Sequence, residues 1–106
     1  MIKINQLKEI EILSACFKIT WDKSTDGGYF SWSDSSITIG TKSIKKDSLY
    51  TFSVISHEIM EVILTGIGVR FESSRTASNY LFNFDHQTFE NAIQIHAQII
   101  SKFIKQ

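Results

Sequence analysis

The sequence predicts a small α+β domain with a mostly antiparallel sheet, a central helix and a C-terminal helix. Apolar and polar residues alternate between residues 10 and 41, as they do in strands that are buried on one face. Two later segments repeat their apolar residues at the helical period of about 3.6. With 106 residues, 42% of them hydrophobic, the chain has the length and composition of one domain, which we assign to residues 1–106.

The first part of the chain is predicted to form an antiparallel meander. Ile10–Trp21 is predicted to be one strand with a bulge near Ser14 and Ala15, because apolar residues alternate on both sides of that point. The turn-forming residues Asp26–Gly28 then lead towards a further strand at Ser36–Thr41. We expect Ser36–Thr41 to lie at the edge of the sheet.

A central helix is predicted at Leu49–Ile67, with Asp47 or Ser48 as its N-cap. His57 and Glu61 lie only about 40° apart on the helix surface, and other apolar residues flank them. The stripe on the opposite side consists of Phe52, Ile55, Ile59, Val62 and Ile63. This pattern predicts a helix that packs on a sheet with one face and covers a small polar site with the other.

The remaining elements are two short strands and a last helix. The strands are predicted at Val69–Phe71 and Tyr80–Phe84, with an exposed loop over Glu72–Asn79. Asp85 is a good N-cap for a helix that runs to about Phe103. The predicted core stripe of this helix is Phe89, Ile93, Ala97, Ile100 and Ile104.

Charge and cysteine content narrow the classes of partner and compartment. Eleven basic and eleven acidic residues give a formal net charge of zero, which argues against a nucleic-acid-binding module. Lys42, Lys45 and Lys46 form a small basic cluster, which we interpret as a solubilising turn rather than a phosphate site.

Cys16 is expected to be a small buried apolar residue. With one cysteine and neither a signal peptide nor a membrane span in the pattern, we expect a cytoplasmic protein with no membrane partner.

The most specific motif is His-Glu-x-x-Glu, which begins at His57 in the central helix. The spacing places the imidazole of His57 and the carboxylate of Glu61 one turn apart on one face, which suits two ligands of a zinc ion. Glu58 lies about 100° around the helix, where it can reach a water molecule beside the metal without binding the metal itself. That is the general-base position of the His-Glu-x-x-His helix.

A catalytic zinc site needs a third protein ligand, and His86 is the candidate. It stands at the start of the last helix, where an ordinary helix-start residue is the alternative interpretation. Glu90, one turn later, could accept a hydrogen bond from its other ring nitrogen, and Asp85 competes for that role. His96 lies among apolar neighbours and is expected to be a packed or surface histidine.

The chain resembles a family of small zincin-like proteins, often associated with phages or prophages, that carry a His-Glu-x-x-Glu helix. The similarity rests on the alternating Ile37 and Ile39, the helix segment Ile55–Ile63, and Asp85 and His86 at the start of the last helix. It extends from about residue 8 onward. The resemblance implies a minimal zincin-like fold and a metallopeptidase that binds Zn²⁺.

In the site that the resemblance implies, His57, Glu61 and His86 are the metal ligands and Glu58 is the base. The expected function is hydrolysis of a peptide or protein substrate by a zinc-activated water. Oxyanion stabilisation is expected from Tyr80, Arg70 or Arg75, and the sequence does not choose among them.

Two other functions remain open at this point. The first is a non-catalytic binding or regulatory module of a mobile element that keeps the zincin-like fold. The second is a structural or host-interaction protein.

Overall fold

The fold was obtained as a computed structural model that describes residues 2–68, 70–72, 80–82 and 85–105, with side chains described for 2–68 and 85–105. It confirms the α+β class. The strands are β1 (Glu9–Ile12), β2 (Ala15–Asp22), β3 (Gly28–Ser31), β4 (Ser36–Gly40), β5 (Arg70–Glu72) and β6 (Tyr80–Phe82). The helices are α1 (Ser48–Gly66) and α2 (His86–Ile100), and a 3₁₀ turn (Ser101–Phe103) follows α2.

The first predicted strand is a hairpin rather than one strand with a bulge. Leu13 and Ser14 both have positive φ, 52° and 69°, and form a two-residue turn between β1 and β2. Positive φ at both central residues is the conformation of a type I′ hairpin turn. The alternation continues across this turn because Ile10 pairs with Phe17 on the same face of the sheet. Neither turn residue is the glycine or asparagine that usually indicates such a hairpin.

The four main strands form a mixed sheet in the order β1-β2-β4-β3. β1 pairs with β2 and β3 pairs with β4 in antiparallel fashion, whereas β2 and β4 are parallel. The predicted meander is therefore wrong, and Ser36–Thr41 does not form an edge strand. Ile37 and Ile39 are almost fully buried, which suits an interior strand, while Tyr29 of β3 is exposed at the edge. β5 and β6 form a separate antiparallel pair.

One face of the four-stranded sheet carries the core and the other is open to solvent. The buried apolar residues of this face and of α1 include Ile10, Ile12, Phe17, Ile19, Ile37, Ile39, Ile55, Ile59, Val62 and Ile63. Cys16 lies on the open face opposite Glu11 and is exposed, so its predicted burial is wrong. Partial desolvation and the negative charge of Glu9 raise the pKa of the Cys16 thiol.

Helix α1 begins and ends where the sequence predicts. Asp47 is its N-cap, and the Asp47 Oδ1 atom accepts a hydrogen bond from the Tyr50 N–H at 3.1 Å. The helix ends at Gly66, and Gly68 follows with a φ of 77°, in the left-handed region that favours glycine. α1 packs across β3 and β4.

Helix α2 begins after the predicted cap Asp85, but it is rotated relative to the prediction. The N–H of Thr88 donates to Asp85 at 2.8 Å and holds the pKa of that carboxyl below its usual range. The buried residues of α2 are Ala92 and Ile99, whereas Phe89 and Ile93 of the predicted stripe are 46% and 43% exposed. The stripe that faces the core is thus shifted around the helix.

The N-terminal segment links the end of α2 to the start of α1. The N–H of Asn5 donates to the carbonyl of Phe103 at 2.7 Å, and the N–H of Ile2 donates to Ser48 Oγ at 3.1 Å. Since Ile2 and Asn5 are three residues apart, the 3₁₀ turn that follows α2 lies near the first turn of α1, and the packed helices run antiparallel. Within the described ranges, neither helix is long and apolar enough to cross a bilayer.

The N-cap of α1 gives a direct test of this description. Replacing Asp47 with Ala removes the acceptor of the Tyr50 N–H and should lower the free energy of unfolding by about 1 kcal/mol. Asp47→Asn keeps an acceptor oxygen and should change the free energy much less. Urea denaturation followed by circular dichroism measures both, and equal losses in the two variants would contradict a hydrogen-bonding role for this side chain.

Candidate metal centre

The His-Glu-x-x-Glu motif lies in the middle of α1, and its His57 and Glu61 are on the side away from the buried Ile55 and Ile59. His57 Nε2 is 3.2 Å from Glu61 Oε2, so one helical turn brings the imidazole and the carboxylate into contact. The side chain of His57 is 67% exposed, and that of Glu61 is mostly covered. The two predicted ligands therefore lie together at the surface of the helix.

Glu58 has a different environment from His57, its neighbour in the chain. It is only 4% exposed, because β3 passes over it. A Cβ atom at Gly28 would stand 3.2 Å from Glu58 Cγ and 3.0 Å from Val54 Cγ1. The strand can therefore lie this close to α1 because residue 28 has no side chain.

A cleft of about 390 Å³ opens between β3 and α1. It is lined by Gly27, Gly28, Ser53, Val54, His57 and Glu58. The volume lies within the range of small-molecule sites. The predicted ligand His57 and the predicted base Glu58 are thus reached from the same cleft.

His57, Glu58 and Glu61 can together hold a metal ion. Each offers one ligand atom, and these atoms all lie within 4.8 Å of one another. One imidazole and two carboxylates form a donor set that zinc accepts. If the imidazole is neutral, the cluster carries two negative charges, which a divalent cation offsets. The donor set therefore fits a divalent metal, and the distances suit Glu58 either as a ligand or as a base beside the metal.

The structure places His86 away from this cluster. His86 lies in the first turn of α2, its side chain is 83% exposed, and its Nε2 is 2.8 Å from Glu90 Oε1. The contact with Glu90 is the one that the sequence predicts. His96, ten residues later, is level with Ser56 of α1, so His86 is displaced by about 15 Å along the axis of α2. Its role as a metal ligand stays a prediction.

His96 joins the two helices directly beside the motif. Its Nε2 is 2.9 Å from Ser56 Oγ and 3.3 Å from the carbonyl oxygen of Ser56. A protonated Nε2 donates to these oxygens, whereas an unprotonated Nε2 accepts from the Ser56 hydroxyl. His96 is packed between the helices, which is one of the two environments that the sequence predicts. It also fixes the face that α2 turns towards α1, which the apolar pattern alone does not predict.

The edge strand beside the cleft is β3. The N–H of Gly40 donates to the carbonyl of Gly27 at 2.7 Å, and hydrogen-bonded positions alternate in an antiparallel pair. Gly28 consequently directs its own N–H and carbonyl to the side away from β4. None of the strands in the described ranges pairs with that side of β3.

Sequence reasoning missed the part that Gly28 plays in the site. The sequence indicates a turn at Asp26–Gly28, and one glycine with positive φ, Gly27 at 83°, is enough to make it. The second glycine, Gly28, is not needed for the turn, and it was the sign in the sequence that the backbone passes close to another element. Of the oxyanion candidates, the side chains of Tyr80 and Arg70 and the whole of Arg75 lie outside the described residues.

Comparison with known proteins adds no evidence to this geometry. No protein-family model, no curated protein and no solved structure matches the chain.

Proposed function

We propose that the protein is a zinc-dependent hydrolase, a minimal metallopeptidase with a zincin-like arrangement of helix and edge strand. The observation that carries the proposal is the cluster of His57, Glu58 and Glu61 on one helix, beside a cleft that β3 covers. The cluster combines metal-binding groups with a proton acceptor, and two of its members, His57 and Glu58, line the cleft.

In this proposal His57 and Glu61 hold the zinc ion, and His86 is the predicted third ligand. A bound zinc ion supplies Lewis-acid activation of water and of the scissile carbonyl. The contact of 3.2 Å between His57 and Glu61 keeps the two ligands on one side of α1. For His86 to join them, α2 has to shift along its axis, because His86 lies ten residues before His96, the residue that is level with the motif.

Glu58 takes the role of the base. Its carboxylate accepts a proton from the attacking water and returns it to the leaving amine. Burial beneath β3 keeps bulk water from this carboxylate and holds it in one place, while the cleft still reaches it. A carboxylate in this position needs little reorganisation before it accepts the proton.

The edge of β3 takes the place that the sequence assigned to Ser36–Thr41. An extended peptide can pair with the outward N–H and carbonyl of Gly28 and so lie across the cleft. Main-chain pairing fixes the direction of the peptide without requiring particular side chains. This arrangement favours a peptide bond as the target.

One observation favours the alternative, a non-catalytic module of a mobile element that keeps the fold and binds a metal. The three grouped donors all come from α1, and His86 is paired with Glu90 on another helix. Three donors from one helical turn can hold a metal without a ligand from a second element. Catalytic activity of the zinc-loaded protein separates the two functions.

The first test changes Glu58 to Gln in protein purified without a metal-affinity tag. Because the amide cannot accept the proton, kcat/KM should fall about 10²- to 10⁴-fold while zinc stoichiometry stays near that of the unchanged protein. Hydrolysis of a quenched fluorescent peptide library and elemental analysis give the two measurements. Glu11→Gln, on the open face of the sheet, is the matched control and should change neither.

Each other outcome has a definite meaning. Loss of zinc in Glu58→Gln would make Glu58 a ligand and contradict its role as base. Unchanged hydrolysis would also contradict that role. Zinc-loaded protein without measurable hydrolysis would favour the non-catalytic module, and protein that binds no zinc would contradict both.

The second test asks whether His86 is a ligand. Replacing His86 with Ala should weaken zinc binding about a hundredfold or more, since losing a ligand costs more than the 10–100-fold typical of losing its hydrogen-bond partner. Competition with a chromogenic chelator measures the affinity, and His57→Ala should abolish binding in the same assay. Unchanged affinity in His86→Ala would remove His86 from the ligand set and leave the metal with the α1 cluster.

A further inference from the structure

The strongest unassigned feature is a cavity whose wall includes four lysines. It has a volume of about 470 Å³ and is lined by Gln6, Lys23, Thr41, Lys42, Ile44, Lys45 and Lys46, which we call the lysine cavity. The sequence suggested a solubilising turn because Lys42, Lys45 and Lys46 are close in the chain. The fold adds Lys23 from another loop and closes the cluster into a cavity.

The loop that carries three of these lysines is fixed by hydrogen bonds. The N–H and hydroxyl of Ser43 both donate to the carboxylate of Asp26, at 2.9 and 2.7 Å. The N–H of Lys42 donates to the carbonyl of Thr25 at 3.1 Å, and the N–H of Thr41 donates to that of Asp22 at 2.8 Å. The backbone of the cavity is therefore formed before any ligand binds, which lowers the entropy cost of binding.

The charge of the cavity is not neutralised by its own residues. No carboxylate is among its lining residues. The carboxylates of the aspartates nearest in the chain accept hydrogen bonds from groups other than these lysines. Asp22 accepts from Ser24, Asp26 accepts from Ser43, and Asp47 caps α1. In the part of the chain that the structure describes, none of the four lysines is ion-paired. Four lysines thus line one small volume whose wall contains no carboxylate.

We propose that the lysine cavity binds a small anion with two or more phosphate groups. Four point charges match the multiple charges of an oligophosphate, whereas a single carboxylate would leave most of them unpaired. The hydroxyl of Thr41 and the amide of Gln6 supply neutral donors for further phosphate oxygens. The partly buried Ile44 contributes an apolar portion of the wall.

A small ligand fits these observations better than a nucleic acid. The cavity volume lies within the range of small-molecule sites. Nucleic-acid binding draws on a basic surface extended along the backbone, and the chain as a whole has no net positive charge. The lysine cavity shares no lining residue with the cleft, so this inference does not depend on the proposed hydrolase activity.

The test is a titration of the intact protein with inorganic tripolyphosphate at low ionic strength, where exposed charges are least screened. Calorimetry should show saturable one-to-one binding that weakens as salt is added. Amide chemical shifts should change at Gln6, Lys23 and residues 41–46. The double variant Lys45→Gln/Lys46→Gln should lose at least about tenfold in affinity, because two charge-assisted contacts are removed.

The control is Lys18→Gln/Lys102→Gln, which removes the same charge from two exposed lysines outside the cavity. It should keep affinity within about twofold. Equal losses in both double variants, or no saturable binding, would overturn the proposal. Shift changes centred on Gly27, Gly28 and His57 would place the phosphates at the metal centre and also overturn it. A nucleoside triphosphate that competes with tripolyphosphate supports the site, whereas binding of an oligonucleotide alone contradicts it.

Discussion

The contact between β3 and α1 at Gly28 is the constraint on which the candidate metal centre depends. A side chain there would meet the Thr38 carbonyl oxygen at 2.8 Å as well as Glu58, so the strand could not keep both its pairing with β4 and its position over the helix. The contact buries Glu58 while His57 stays exposed. Adjacent residues of one helix therefore differ in access to water, and the cleft exists because an edge strand covers one of them.

The contact between β3 and α1 follows from the burial of only one face of the sheet. Because one sheet face carries nearly all of the apolar residues, α1 turns its isoleucine stripe towards that face, and its polar pair is directed outward. The edge position of β3 then covers Glu58 beside that pair. An interior strand such as β4 has no backbone groups to spare for a peptide, whereas β3 does. The strand order thus decides which strand keeps backbone groups free on its outer side.

Features that depend on neighbouring residues could be predicted from the sequence, and features that depend on distant pairings could not. The caps Asp47 and Asp85 and the contact of His57 with Glu61 are local, and the structure confirms them. The parallel pairing of β2 with β4 is not encoded by alternation, because Ile37 and Ile39 would alternate equally well in a meander. The rotation of α2 depends on its contact with α1. The residue spacing between His86 and Glu61 likewise contained no information about that packing, and so could not establish their separation.

The net charge of zero includes two local groups of charges of opposite sign. The cluster of His57, Glu58 and Glu61 is acidic when its imidazole is neutral, and the lysine cavity carries four positive charges. The segment from Lys23 to Gly28 lies between them: Lys23 lines the cavity, and Gly27 and Gly28 line the cleft. In this segment Asp26 accepts a hydrogen bond from the Ser43 N–H and Gly27 accepts one from the Gly40 N–H, so the segment is held in place between the two sites. A total charge of zero excludes a uniformly basic surface, but it leaves room for two local sites that attract ligands of opposite charge.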